Sequence, residues 1–260
     1  MAIGRSNYRY LLLLFVYYSI LTMLIDAHCH LESIKDYVPP TGLLPITVGH
    51  SNGANLKNIS IAEKLQIPLV LGIAPQTALK EGTDKLEEWI EVIKQSKVKP
   101  IAIGEVGLDY HWAKSEGDRK KEKLVFEQMI ELAEEMHLPI VIHSRKSDDD
   151  CISMLRERKF SNGIMMHFFA GDEKQALNAV DIGAYISIPP LRSKERKKVI
   201  NSIGLEYLLV ETDAPAVVRL PEEVTKSVEY ICELKKLEFE VVASATAKNA
   251  TKLFKLSSYL

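Results

Sequence analysis

The chain has 260 residues, 47% apolar and 26% charged. That is the balance of a soluble globular protein with one large domain or two small ones, and it excludes a disordered tail, a collagen-like repeat and a polytopic membrane protein. Thirty-three basic side chains against 35 acidic ones leave a net charge of −2, so bulk electrostatics cannot coat the protein with nucleic acid, although a local phosphate site stays open.

In chain order, the first feature is Leu11 to Ile25, almost entirely apolar and preceded by Arg5 and Arg9. It is shorter than the roughly 20 residues that span a bilayer as a helix, and no small-residue cleavage site follows. Met23 offers a plainer start of translation. Residues 1–22 are then an upstream extension, with a membrane anchor or export signal as the alternatives, and no stable membrane association is expected. Cys29, Cys151 and Cys232 are too few and too scattered for a disulfide framework or a cysteine zinc cluster, which points to a reducing compartment and a cytoplasmic location.

From Met23 onward, short aliphatic runs alternate with amphipathic stretches. Strands are expected at Leu24–Ala27, Pro45–Gly49, Leu69–Ile73, Ile101–Glu105, Ile140–His143, Ile164–His167, Tyr185–Ile188 and Leu208–Glu211. Several are continuous apolar runs, as parallel strands covered on both faces require. Helical spacing is expected over Asn55–Leu65, Asp84–Ile93 (capped by Thr83), Lys121–Met136, Asp148–Arg158, Glu173–Val180, Lys194–Ile203, Glu222–Lys236 and Val241–Phe254. Eight strands, most followed by a helix, in about 240 residues predict a (β/α)8 TIM-type barrel over residues 23–260. A doubly wound open sheet is the structural alternative.

The chemistry lies at the strand ends. The first strand runs into His28-Cys29-His30, the fourth ends at Glu105, the fifth at His143, the sixth at His167, and the eighth leads to Asp213. In a parallel barrel these ends share one mouth. Four imidazoles and two carboxylates exceed one tetrahedral zinc and suit two divalent ions with a bridging carboxylate. His28 and His30 stand two apart, hence on one side of an extended strand, and Cys29 points the other way into the core. His50 could line the mouth as a substrate contact. His111 has no assigned role, and His137 belongs to a helix end.

The sequence resembles the TatD-type metal-dependent deoxyribonucleases of the amidohydrolase superfamily. The resemblance rests on Ile25-Asp26-Ala27-His28-Cys29-His30-Leu31, Gly104-Glu105-Val106-Gly107-Leu108-Asp109-Tyr110 and Leu138-Pro139-Ile140-Val141-Ile142-His143-Ser144-Arg145. It continues through His167-Phe168-Phe169-Ala170-Gly171, Glu211-Thr212-Asp213-Ala214-Pro215 and the tail Asn249 to Phe254. It implies that His28, His30, Asp213 and Glu105 hold one ion (Zn, Mn or Mg) and that His143 and His167 hold the second, with Glu105 bridging. Asp213 would also act as general base on the attacking water, and DNA would be the substrate, cut from a strand end.

Arg145 is either a phosphate partner, suited by its planar fork, or a structural ion-pair former. Trp112 is a stacking surface for a base, whereas Trp89 reads as core. The basic run Lys194–Lys198 reads as a solvated helix face, with a phosphate contact as the alternative. Two departures concern the substrate. Where the family often carries Gly-x-His-Pro-His after the third strand, this chain has Gly72-Ile73-Ala74-Pro75-Gln76, and Ala170 replaces a serine. An amidohydrolase-type enzyme acting on an amide, ester or lactone, and a binding protein without turnover, are the rival readings. The intact set of six ligands speaks against the second.

Overall fold

The chain forms one parallel ladder of eight strands in the order β1 to β8. The structure is a computed structural model that describes residues 23–260, so the expectations for residues 1–22 lie outside it. The strands are β1 (Leu24–Cys29), β2 (Leu43–Val48), β3 (Leu69–Leu71), β4 (Ala102–Asp109), β5 (Ile140–Arg145), β6 (Ile164–Met166), β7 (Ala184–Ile188) and β8 (Leu208–Val210). A doubly wound sheet would reverse its strand order part-way, and this one does not. At the seam, Asp213 N–H donates to His28 O (2.9 Å) and His30 N–H to Ala214 O (2.7 Å). Asp26, fully buried, accepts from the Thr212 N–H (2.9 Å) and hydroxyl (2.5 Å), tying the two strands side by side.

Helices follow as α1 (Asn52–Leu65), α2 (Pro75–Glu81), α3 (Leu86–Lys94), α4 (Glu116–Glu135), α5 (Asp148–Arg158), α6 (Glu173–Asp181), α7 (Lys194–Ser202), α8 (Thr225–Lys235) and α9 (Phe239–Phe254). Most helix ends fall within three residues of expectation, and three differences have a local physical cause. The stretch after β3 is a helix, α2, which Pro75 opens at its first turn with φ already set. Thr83 does not cap α3. Its carbonyl instead closes a turn by accepting from Leu86 N–H (3.1 Å), and Lys85 takes the cap position. The long helix α4 starts five residues before Lys121, because Ser115 and Asp118 form a reciprocal capping box.

Two apolar layers hold the barrel. Ile25, Ala27, Ile46, Val70, Val141 and Met165 fill its interior, and Leu253 and Phe254 of α9 close the N-terminal end. Each such burial contributes roughly 1.5–3 kcal/mol. The larger layer, including Trp89, Phe126 and Cys29, lies between strands and helices. Asn249 anchors α9 by donating to Leu205 O (2.9 Å) and Leu208 O (2.8 Å). Interior glycines keep strands close beneath the site. A Cβ on Gly104 would sit 2.6 Å from Val141 Cβ, and one on Gly107 only 2.2 Å from His143 O. Among the described residues no helix is long and apolar enough to cross a membrane.

Candidate metal centre

All six predicted ligands come together at the C-terminal mouth, and two register shifts make that happen. On β1, Ile25 and Ala27 face the barrel interior, whereas Cys29 belongs to the outer layer. The shift between Asp26 and Cys29 reverses the alternation, so His28 and His30 face inward. On β4 a second shift between Ile103 and Val106 turns Glu105 inward although Ile103 faces out. Strict alternation would have put Ile103 and Glu105 on one face. Cys29 packs as expected, its thiol against Ile46 O (3.4 Å).

Glu105 sits at the middle of the group. Its Oε2 lies 3.7 Å from both His28 Nε2 and His30 Nε2, and its Oε1 lies 2.7 Å from His143 Nδ1 and 3.9 Å from His167 Nε2. Asp213 completes the first side, with Oδ1 3.3 Å from His30 Nε2 and 3.8 Å from His28 Nε2. The His28 and His167 rings stack at 3.5 Å, and His28 Nε2 faces His30 Nε2 at 3.2 Å.

All but one of these four imidazoles have the far nitrogen satisfied. His30 Nδ1 donates to Val48 O (2.9 Å), His143 Nε2 to Asp109 Oδ2 (2.9 Å) and His167 Nδ1 to Glu211 Oε2 (3.0 Å). Only the buried His28 Nδ1 lacks a partner. The carboxylates are fixed in turn. Asp109 also accepts from His111 N–H (3.0 Å) and Gln76 Nε2 (2.8 Å), and Glu211 from Phe168 N–H (2.6 Å). Carboxylate–imidazole pairs of this kind set ring orientation and raise ligand basicity.

The protonation pattern follows. Burial and the neighbouring His167 and His30 rings hold His28 neutral. Burial pulls His30 and His143 down, but their carboxylate partners outweigh it, raising His30 to about 9 and His143 to about 10. Burial likewise favours the acid form of Glu105, yet the His143 hydrogen bond and the surrounding imidazoles keep it ionised. Protons thus occupy His30 and His143 where converging nitrogens and carboxylates would otherwise hold cations. The donor set therefore fits divalent ions, in the groups His28–Glu105–His167 and His28–His30–Asp213.

The centre floors an open cavity of about 780 Å³. Arg145 lines it from the exposed end of β5, and His50 lines it half-exposed, with Nε2 3.5 Å from Glu32 Oε1. Glu32 is itself held by Asn58 (2.9 Å). A third candidate group, His30–Glu32–His50, would need His30 Nε2, which already faces Glu105 and Asp213, since its Nδ1 is spent on Val48. Trp112 does not line this cavity; it lies in an adjoining one with Leu79 and Lys80. The basic run on α7 is solvated except for Arg196. That residue is buried and ties the loops after β6 and β7 together by donating to Phe169 O (3.2 Å) and Leu191 O (2.6 Å). Asp109, Glu211 and Gln76 were missed as functional residues. Asp109 and Glu211 lie inside the motif segments, but a partner 34 or 44 positions away carries no local sequence signal.

Comparison with known proteins gives the family and the fold. A family model described as TatD related DNase matches residues 25–255. A metal-dependent hydrolase from Methanocaldococcus jannaschii is 31% identical, covering 89% of this chain and 96% of its own length. The deoxyribonuclease TATDN3 of Homo sapiens is 28% identical, covering 89% and 94%. The crystal structure of the TatD homologue YjjV from Escherichia coli K12 shares the fold, with TM-score 0.78, 24% identity and coverage of 90% and 98%. The chain belongs to the TatD-related DNase family of metal-dependent hydrolases.

Proposed function

We propose that this protein is a phosphodiesterase that hydrolyses DNA from a strand end, using two divalent ions. The observation that carries the reading is the division of Glu105, one oxygen toward His28 and His30 and the other toward His143 and His167. His28, His30 and Asp213 with Glu105 would hold one ion, and His143 and His167 with Glu105 would hold the other. Zn²⁺, Mn²⁺ and Mg²⁺ are the candidates for a mixed imidazole and carboxylate set. When bound, such ions bring a water's pKa toward neutrality and offset the charge of a phosphate.

The chain's own residues supply the rest. Asp213, at the edge of the cavity, accepts the proton of the attacking water as general base. Asp109 and Glu211 keep the His143 and His167 rings aimed inward by holding their outer N–H groups. Arg145 offers its planar fork to a phosphate oxygen, and His50, steadied by Glu32, contacts the substrate from the β2 side. Three free cysteines, two of them buried, support a cytoplasmic setting.

A second reading, hydrolysis of an amide, ester or lactone at the same centre, is favoured by Ala74 and Gln76. They stand where the family often has imidazoles near the substrate. The test is purified protein with Mg²⁺, Mn²⁺ or Zn²⁺ on single-stranded DNA beside an ester and lactone panel. Progressive loss of nucleotides from an end supports the first reading. Intact DNA with every metal, together with ester or lactone turnover, replaces it with the second.

A further inference from the structure

The cavity beside the metal centre is the feature that the hydrolytic site leaves unexplained. It encloses about 400 Å³ and is lined by Gln76, Leu79, Lys80, Trp112 and Asp118. Gln76 and Lys80 line both spaces, so the two meet along α2. Gln76 also reaches the centre itself through Asp109. Trp112 is 58% exposed, yet its position is set. Its N–H donates to Asp109 O (3.0 Å), and the His111 ring packs edge-on against the indole at 4.8 Å. The same residue that orients His143 therefore also fixes the backbone that carries this indole.

The charges on the walls select what enters. Lys80, on the shared wall, attracts a phosphate lying between the two spaces. Asp118, on the wall that is not shared, repels one. A neutral flat group that stacks on Trp112 against Leu79 fits both conditions, and a nucleobase is such a group. We infer that this cavity is a subsite for the nucleobase flanking the scissile phosphate, with Trp112 as the stacking platform and Lys80 on the intervening phosphate. The inference rests on the proposed DNA hydrolysis and assigns where the substrate runs beyond the reacting bond.

The experiment uses the full chain carrying Trp89→Phe, which leaves Trp112 as the remaining indole of two; Trp89 is buried on α3, away from both cavities. Asp213→Asn is added to suppress turnover during titration. A short single-stranded oligodeoxynucleotide is compared with a sugar-phosphate backbone of equal length that carries no bases. The base-bearing strand should quench Trp112 fluorescence, and the bare backbone should not. Read instead by the fluorescence anisotropy of a dye on the strand, Trp112→Ala should weaken binding of the base-bearing strand about tenfold, with Trp112→Phe recovering most of it and the bare backbone insensitive to either change. Binding without quenching, or equal loss for both strands, overturns the subsite while cleavage of DNA by the unmodified protein still stands. A strand that neither binds nor is cut with any metal overturns the nuclease reading and the subsite together.

Discussion

Replacing Glu122 by Gln should flatten the pH dependence of stability, because this carboxyl lies wholly buried beneath the site. Its Oε2 accepts from Asp109 N–H (2.9 Å), and its Oε1 has no partner. Burial raises its pKa from 4.5 to about 7. A carboxyl whose folded pKa is raised contributes stability that is full below the unfolded pKa and lost as pH rises through the folded one. From 4.5 to about 7, at about 1.36 kcal/mol per pH unit, the loss is roughly 3 kcal/mol. In Glu122→Gln the amide oxygen still accepts from Asp109, but no proton leaves. The new NH2 group costs about 1–3 kcal/mol at every pH if it finds no acceptor, so the absolute level decides nothing and the slope decides everything. Guanidinium unfolding with chelator present, at pH 5, 6, 7 and 8, measures both proteins. Across that range the wild type should lose most of roughly 3 kcal/mol relative to the variant. Parallel curves would refute a buried carboxyl titrating near neutrality.

Four further expectations concern the centre. Asp213→Asn should lower the rate about 10²–10⁴-fold while metal content is largely kept, since the base is lost and an oxygen ligand remains; near-normal turnover rejects that role. Glu105→Ala should lower metal stoichiometry itself, read by elemental analysis, because both groups lose their shared carboxylate; full occupancy contradicts the bridge. Glu211→Gln and Asp109→Asn should each weaken metal binding about 10–100-fold, measured by chelator competition, and unchanged affinity would mean that His167 and His143 need no support. Metal affinity should also climb with pH between 6.5 and 8.5. Below their pKa values of about 9 and about 10, His30 and His143 carry protons that the metal must displace. Each displaced proton makes that dependence about tenfold per pH unit. A flat profile would show that these imidazoles are not ligands.

Local patterns were read well where the physics is local. The aliphatic runs became all eight strands, and α5 begins and ends where its amphipathic stretch does. The HisXHis spacing on β1 brought two ring nitrogens within 3.2 Å of each other, as two residues on one side of a strand must be. Trp89 and Cys29 were legible as core, Trp89 from its place on the apolar stripe of an amphipathic helix and Cys29 from strand alternation opposite His28 and His30. The short helix α2 was not, since its seven residues make only about two turns, too few for a periodic pattern to stand out, and Pro75 reads equally as a turn.

By itself the sequence determined eight parallel-type strands with six ligand-type residues at their ends, because periodicity and strand termini are properties of neighbouring residues; the unreversed order β1 to β8 then chose the barrel over an open doubly wound sheet. Tertiary structure alone decided which way those residues face and what steadies them. The register shifts on β1 and β4 depend on the partner strands and reverse a strict alternation, bringing His28 and Glu105 inward. Asp109 and Glu211 became the holders of His143 and His167, and Asp26 the clasp at the seam, only when folding set β4 beside β5, brought the end of β8 to that of β6, and closed β8 onto β1. The near-neutral count of −2 is likewise a whole-chain sum. The field at the mouth is set instead by where folding collects Arg145, Lys80 and the histidines and carboxylates that line the cavity.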